Sequence, residues 1–204
     1  MIYIYGASGH AKVIVETLEQ CGFVEFLLID DFTKNTCLLD YQIVHSNNKA
    51  ISIHLNNLII AIGENKIRKT IVNKFILDNF INAIHPSAVI SKRAKIGLGN
   101  AIMSNASINS GALIKNHCII NTNTSVDHDC VIEDFVHLSP NVALAGNVFI
   151  GEGAHVGIGV SIIQGIKIGK WCKIGAGAVI ISDVPDYAVV VGNPGKIIKY
   201  NYEK

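Results

Sequence analysis

His128 stands between two carboxylates in Asn121-Thr122-Asn123-Thr124-Ser125-Val126-Asp127-His128-Asp129-Cys130, the most polar stretch of the chain's second half. A carboxylate beside an imidazole can fix its tautomer and raise its basicity, which suits a general base. Eighteen residues further on, the glycine-containing segment Ala145-Gly146-Asn147 could offer a backbone N–H to a developing oxyanion. A base beside an oxyanion donor is what acyl transfer requires. The same residues also fit a solvated surface histidine among acids. His117, His137 and His155 are further candidates. Near the amino end, Gly6-Ala7-Ser8-Gly9-His10-Ala11 opens a helical pattern, and the free N–H groups of such a turn suit a phosphate.

Whether His128 and Gly146 meet depends on the elements that carry them. From Ile90 to Ile180 every sixth residue is Ile, Val or Leu, and Ile84 extends the series backwards. Helices need apolar spacings of three and four, and a lone strand needs two. A period of six implies short strands separated by turns and stacked as a solenoid. Three sides of six residues make a coil of eighteen. Residues eighteen apart then lie one coil apart, at the ~4.8 Å strand spacing. Gly146 is expected over His128, and His155 over His137. Two residues before each aliphatic position the side chain is small, with Asn100 and Ile166 departing from the rule. Gly97, Gly151, Gly157, Gly169 and Gly175 follow aliphatic positions, where a permissive backbone is expected to help the corner.

Residues 1–82 obey a different rule. Ile2–Tyr5, Phe26–Ile29 and Leu58–Ile62 read as strands. A helix is predicted from Lys12 to Gln20, and a second is marked by Ile67, Ile71, Phe75 and Ile76. Strands alternating with helices imply a parallel, doubly wound sheet, with ligands at the strands' carboxyl ends. Those ends carry Gly6 to His10, Asp30-Asp31 and Gly63-Glu64-Asn65. The turn reads GxxGxA where a full dinucleotide fingerprint reads GxGxxG, so a half-site for one nucleotide is expected. A tight turn with no ligand is the plainer alternative.

Bulk composition narrows the class. The chain has 204 residues, is 50% hydrophobic and 16% charged, and has a net charge of +1. No Lys/Arg run stands out, which disfavours nucleic acid and anionic membrane as partners. The five cysteines are scattered, odd in number and lack CxxC spacing, which fits reduced thiols in a cytoplasmic protein. The amino end lacks a basic segment and a cleavage site, and no run of ~18 apolar residues occurs. The histidine spacings of eleven, nine and eighteen argue against a zinc site, so no metal is expected.

Together, the GASGHAKV start, Asp30-Asp31, Ala61-Ile62-Gly63-Glu64-Asn65, the unbroken hexapeptides, the His128–Ile132 segment and Val191-Gly192-Asn193-Pro194-Gly195-Lys196 span nearly the whole chain. They resemble the hexapeptide-repeat sugar acetyltransferases of the PglD/NeuD type, and within it the members acting on UDP-linked 4-amino-4,6-dideoxy sugars. The resemblance implies an α/β Rossmann-like half domain (1–82) followed by a left-handed parallel β-helix with a carboxyl-terminal cap (83–204). It implies a cytoplasmic homotrimer using acetyl-CoA and a nucleotide-activated amino sugar. His128 would be the base, Asp129 its orienting acid, and Gly146 the oxyanion donor. Asp129 stands where Glu is common. Gly6, Ser8, Gly9, His10, Asp30, Asp31, Gly63, Glu64 and Asn65 would hold UDP. Asn121 and His137 would line the sugar or thioester region. Gly157-Ile158 and later coils, Gly175 among them, would hold pantetheine and adenine. O-acetylation of a sugar such as sialic acid, N-acetylation of a GDP-linked amino sugar, and a non-catalytic sugar-nucleotide-binding scaffold are the alternatives.

Overall fold

A computed structural model describes residues 1–47, 57–75 and 80–202. The amino-terminal part contains β1 (Ile2–Tyr5), α1 (Gly9–Gln20), β2 (Phe26–Ile29), β3 (Cys37–Leu38), β4 (Tyr41–Val44), β5 (Leu58–Ile60) and α2 (Asn65–Val72). Its sheet runs β3-β4-β2-β1-β5, parallel except for the edge pair β3–β4. The period of two in the strands explains the double winding. Ile2, Ile4 and Ile59 pack with Ile14, Val15 and Leu18 of α1 on one face. Tyr5, Leu58 and Ile60 pack with Ile71 and Val72 of α2 on the other.

The structure differs from the sequence expectation in four details. Helix α1 begins at Gly9, three residues before the predicted start at Lys12, and β5 ends at Ile60, short of Ile62. The short strands β3 and β4 carry no alternation long enough to announce them. Helix α2 ends at Val72, short of Phe75, and Ile76 lies outside the described residues.

The second part is a parallel β-helix. Two-residue strands recur from Ala83–Ile84 to Val179–Ile180 (β6 to β22), each ending on an aliphatic position of the six-residue series. Their pairings join residues eighteen apart, as in Ile120 with Leu138 and Ile132 with Ile150. The result is three sheets of six, five and eight strands. The eight-stranded side is completed by β23 (Ala188–Val191) and the antiparallel β24 (Lys196–Tyr200). The aliphatic residues and the small residues two positions before them fill one continuous core. Asn100 occupies a small-residue position and is buried, but its amide is satisfied. Nδ2 donates to Lys115 O at 2.8 Å, and Oδ1 accepts from Cys118 N at 2.7 Å.

The corners turn for a reason the glycine pattern does not reveal. A residue with φ between 56° and 77° follows the aliphatic position by three, at 99, 105, 111, 117 and onward to 177 without a break. Gly, Asn and Asp fill most of these positions, as the left-handed region favours. The glycines immediately after aliphatic residues have ordinary φ instead. They are needed for close approach between coils. A Cβ on Gly157 would stand 2.7 Å from Ile174 O, and one on Gly151 would stand 2.6 Å from Lys170 N.

The two parts share a core. Ala83, Ala101, Met103 and Ile119 on the eight-stranded side pack with β1, β2 and α1, while Phe135 packs with the α2 face. Inward and outward positions should therefore differ sharply in stability. Ile132→Ala is expected to cost about 2–5 kcal/mol in denaturant unfolding. Lys167→Ala, exposed on the next strand but one of the same side, should stay within about 0.5 kcal/mol.

Candidate active site

The sequence-predicted residues of the β-helix fall into two groups, one on a corner of the coil and one along the eight-stranded side. His128 follows the strand Ser125–Val126 of the six-stranded side and precedes Val131–Ile132 of the five-stranded side. Its imidazole is exposed, with Nδ1 2.9 Å from Asp129 Oδ2. Its backbone N–H donates to Asp127 Oδ1, which also accepts from Asn109 Nδ2 one coil below. Asp129 raises the His128 pKa above the ordinary histidine value, chiefly by this hydrogen bond, and Asp127 adds to the effect. The bonds from Asn109 and the His128 N–H hold the Asp127 carboxyl below its usual range.

The His128 and Asp129 side chains both rest on glycines of neighbouring coils. A Cβ on Gly146 would lie 2.5 Å from the His128 ring, and one on Gly111 would lie 2.3 Å from Asp129 Oδ1. Gly146 is buried, and its N–H has no acceptor among the described residues, whereas Ala145 N and Asn147 N are both bonded. Asn109 and Gly111 were not singled out in the sequence. The count of eighteen back from Asp127 and Asp129 would have found them. Cys130 points into the core, and burial raises its thiol pKa.

The second group lies where the amino-terminal part meets the eight-stranded side. Asn121 Nδ2 is 3.2 Å from His137 Nε2, and His137 Nδ1 is 3.3 Å from Gly63 O. His137 and His155 stack with centroids 4.7 Å apart, as the eighteen-residue count anticipates. Gly157 and Gly175 follow on the corner that carries Asn121, with Ile158 exposed beside them. Burial drives His137 down to about 3, helped by His155, Arg68 and His10. Burial and Arg68 push both His10 and His117 down to about 4.

The strand ends of the amino-terminal sheet divide in role. Gly6 takes φ +111°, and a Cβ there would meet Ala61 O at 2.8 Å, so the turn requires glycine. Ser8 and Gly9 are exposed at the start of α1, and Ser8 makes no side-chain cap bond. His10 Nε2 is buried without a hydrogen-bond partner. Both Asp30 oxygens are spent on the fold. Oδ2 accepts from Ala7 N at 2.8 Å, and Oδ1 accepts from Phe32 N and Thr33 N. Asp31 accepts from the Tyr5 hydroxyl and from Ser46, and lies 3.1 Å from His45 Nδ1. Glu64 caps α2 by accepting from Ile67 N. Asn65 is buried and donates to Gly153 O and Ala154 O of the β-helix. A cleft of about 380 Å³ opens here, lined by Glu64, Asn65, His155, Trp171, Lys173 and Tyr200 among others.

Sequence reasoning also missed the corner that receives α2. His117, Phe135 and Trp171 occupy left-handed positions of one column, an uncommon place for bulky side chains. His117 stacks on Phe135 at 5.3 Å and meets Phe80 edge-on at 4.6 Å. Lys69 lies over Phe135 and Trp171 and pairs with Glu152. No residue-type rule flags such a corner; it becomes visible only when the residues three past each aliphatic position are read as a column.

A parallel β-helix with an imidazole–carboxylate pair on one corner, and a small parallel α/β unit seated on another, defines a transferase of the hexapeptide-repeat class. Residues 1–75 match the PglD N-terminal domain, and residues 147–182 match the bacterial transferase hexapeptide of six repeats. The chain is 34% identical to the acetyltransferase domain of PglB from Neisseria gonorrhoeae FA1090, covering 97% of this chain and 98% of that one, with a TM-score of 0.89. It is 37% identical to PerB from Caulobacter crescentus, solved with CoA and GDP-perosamine, covering 97% of each chain with a TM-score of 0.88. It is 40% identical over 109 residues to the UDP-N-acetylbacillosamine N-acetyltransferase of Bacillus subtilis (strain 168). That stretch is 50% of this chain, and the chain spans only 50% of that curated relative. The chain belongs to the hexapeptide-repeat sugar acetyltransferases of the PglD type.

The buried histidines make stability depend on pH. His10, His117 and His137 stay neutral in the fold, with values depressed to about 4, 4 and 3. Unfolded, each titrates near 6.5. Their contribution is complete above about pH 6.5 and is lost as pH falls towards 4, because the unfolded chain then binds protons that the folded one refuses. The melting temperature should drop between pH 7 and pH 5. A flat profile there would show that these rings reach solvent.

Proposed function

We propose that this protein transfers the acetyl group of acetyl-CoA to the 4-amino group of a UDP-linked 4-amino-4,6-dideoxy-N-acetyl sugar. The observation that carries the reading is the His128 imidazole set between Asp129 and Gly146. Asp129 accepts from Nδ1–H and leaves Nε2 as the base. Nε2 takes the proton from the attacking amine. The carbonyl carbon of the thioester becomes tetrahedral, and its oxyanion is received by the Gly146 N–H. Collapse then expels the CoA thiolate. The buried Cys130, with its raised thiol pKa, is no nucleophile, so transfer is direct.

The Gly6–His10 turn, with its free helix N–H groups, would take the nucleotide phosphates, and Asp31, Gly63 and Glu64, at the neighbouring strand ends, would meet the rest of the nucleotide. Asp30 and Asn65 would serve it indirectly, since their polar atoms already hold the turn and the β-helix. Asn121 and His137 would meet the sugar or thioester. Gly157, Ile158 and Gly175 would line the pantetheine path. His128 and His137 sit on different parts of one coil, so a substrate spanning both would lie between copies. This supports a homotrimer with sites shared between neighbours. The family membership supports the acetyl donor, and a related acetyltransferase domain has been solved with acetyl coenzyme A.

A GDP-linked 4-amino sugar is the second reading. It is favoured by the end-to-end similarity to PerB, solved with GDP-perosamine. Titrations with UDP and GDP separate the two readings. Tighter binding of UDP is expected, and tighter binding of GDP would replace the first reading with the second.

His128→Ala should lower turnover in a thiol-release assay by roughly 10²–10⁴-fold. Near-normal turnover would remove His128 from the chemistry. In the wild-type enzyme the raised His128 value protonates the base at higher pH than an ordinary imidazole. The acidic limb of kcat/KM should therefore lie above the usual histidine range. Asp129→Asn should move it to lower pH while reducing the plateau. An unmoved limb would show that Asp129 does not act on the base.

A further inference from the structure

Arg68 is 1% exposed and forms no salt bridge among the described residues. Its guanidinium is spent mainly on backbone carbonyls. Nε donates to His117 O at 2.9 Å, and Nη2 donates to Phe135 O at 2.8 Å and Asn65 Oδ1 at 2.9 Å. Nη1 donates to Ile62 O at 2.9 Å and Gly63 O at 3.2 Å. Burying a cation without an anion is costly, and a well-packed apolar residue often stabilises such a site as well. Stability alone therefore gives a weak reason for an arginine here.

The Gly63 carbonyl supplies a better reason, because His137 Nδ1 lies 3.3 Å from the same oxygen. A carbonyl can only accept, so the His137 proton sits on Nδ1. The other edge of the ring agrees. Asn121 Oδ1 accepts from Thr122 N at 2.9 Å, which fixes the orientation of that amide. Its Nδ2 therefore faces His137 Nε2, at 3.2 Å, and needs an acceptor there. Two independent contacts specify one tautomer, and Arg68 holds the carbonyl that sets the first of them.

We infer that Arg68 is a positioning residue for His137, clamping the Gly63 carbonyl so that the imidazole carries its proton on Nδ1, with Nε2 and the Asn121 amide turned together toward the sugar or thioester. The inference rests on the proposed reading for what that edge meets, but not for the tautomer. The groups facing His137 are the stacked His155, the Arg68 cation and His10 of the glycine turn, with neutral Gly63 and Asn121. None is anionic, and burial is the main reason the ring is neutral, so removing Arg68 acts on His137 chiefly by freeing the carbonyl that orients it. Asn65 is the natural companion, since it holds the guanidinium on one side and the β-helix carbonyls on the other.

The test is nitrogen NMR of the histidine side chains in the full chain, with no substrate present and His137 assigned by loss of its signals in His137→Asn. The expected result is a protonated Nδ1 and an unprotonated Nε2, unchanged between pH 5 and pH 8. In Arg68→Gln the His137 signals should show a mixture of the Nδ1-protonated and Nε2-protonated forms, because the carbonyl that selects the first is no longer held, and Arg68→Lys should restore part of the wild-type behaviour. A folded Arg68→Gln whose His137 stays wholly protonated on Nδ1 would reduce Arg68 to a structural part and overturn the inference. If Arg68→Gln does not fold, the wild-type spectrum still decides, since a proton on Nε2 overturns the inference. These outcomes are read without acetyl-CoA or sugar, so they stand apart from success or failure of the acetyl-transfer reading.

Discussion

A backbone that enters the left-handed region every six residues is the constraint from which the β-helix and its site follow. The unbroken series of such residues from 99 to 177 closes each coil at eighteen. Closure at eighteen stacks like on like, so the aliphatic positions become one core and the outward positions become columns. A column is then a place where chemistry can be assembled from residues far apart in sequence. Asn109 beneath Asp127, Gly111 beneath Asp129 and Gly146 above His128 are all such assignments. Strand spacing sets these neighbours in contact with no further folding device.

The same constraint explains how the amino-terminal unit is held. One corner column carries His117, Phe135 and Trp171 in the left-handed region, so their rings splay outward where α2 arrives. The carbonyls of His117 and Phe135 are left facing α2 and receive Arg68. Helix α2 is thus tied through Arg68 and Asn65 to the coil, and through Ile62 and Gly63 to the carboxyl end of β5. That end is where an open parallel sheet binds ligands. The joint therefore brings that end beside His137, whose Nδ1 lies 3.3 Å from Gly63 O.

Much of this was legible in the sequence, and the exceptions are instructive. The period of six announced the β-helix because every strand ends on an apolar residue. The count of eighteen gave the Gly146–His128 and His155–His137 neighbours before any coordinates. The corner glycines were misread. Gly157 and Gly151 have ordinary φ and are demanded by the coil above, while the left-handed positions are filled by Asn, Asp and even Trp as well as Gly. Strands β3 and β4 were missed because two to four residues carry too little alternation. The roles of Asp30 and Asn65 could not be read because both point to partners far away in sequence, Ala7 and Gly153. Arg68 looked like an ordinary helix residue, since burial of a cation against carbonyls leaves no trace in composition.

The central claim is direct acetyl transfer at the His128–Gly146 corner, with no covalent enzyme intermediate. Mass spectrometry of the purified protein incubated with acetyl-CoA, first alone and then with UDP- and GDP-linked 4-amino sugars, tests it most directly. The account predicts an unmodified protein in both incubations, and an acetylated nucleotide sugar formed together with free CoA in the second. An acetylated protein, or no acetylated sugar from either nucleotide series, would contradict it.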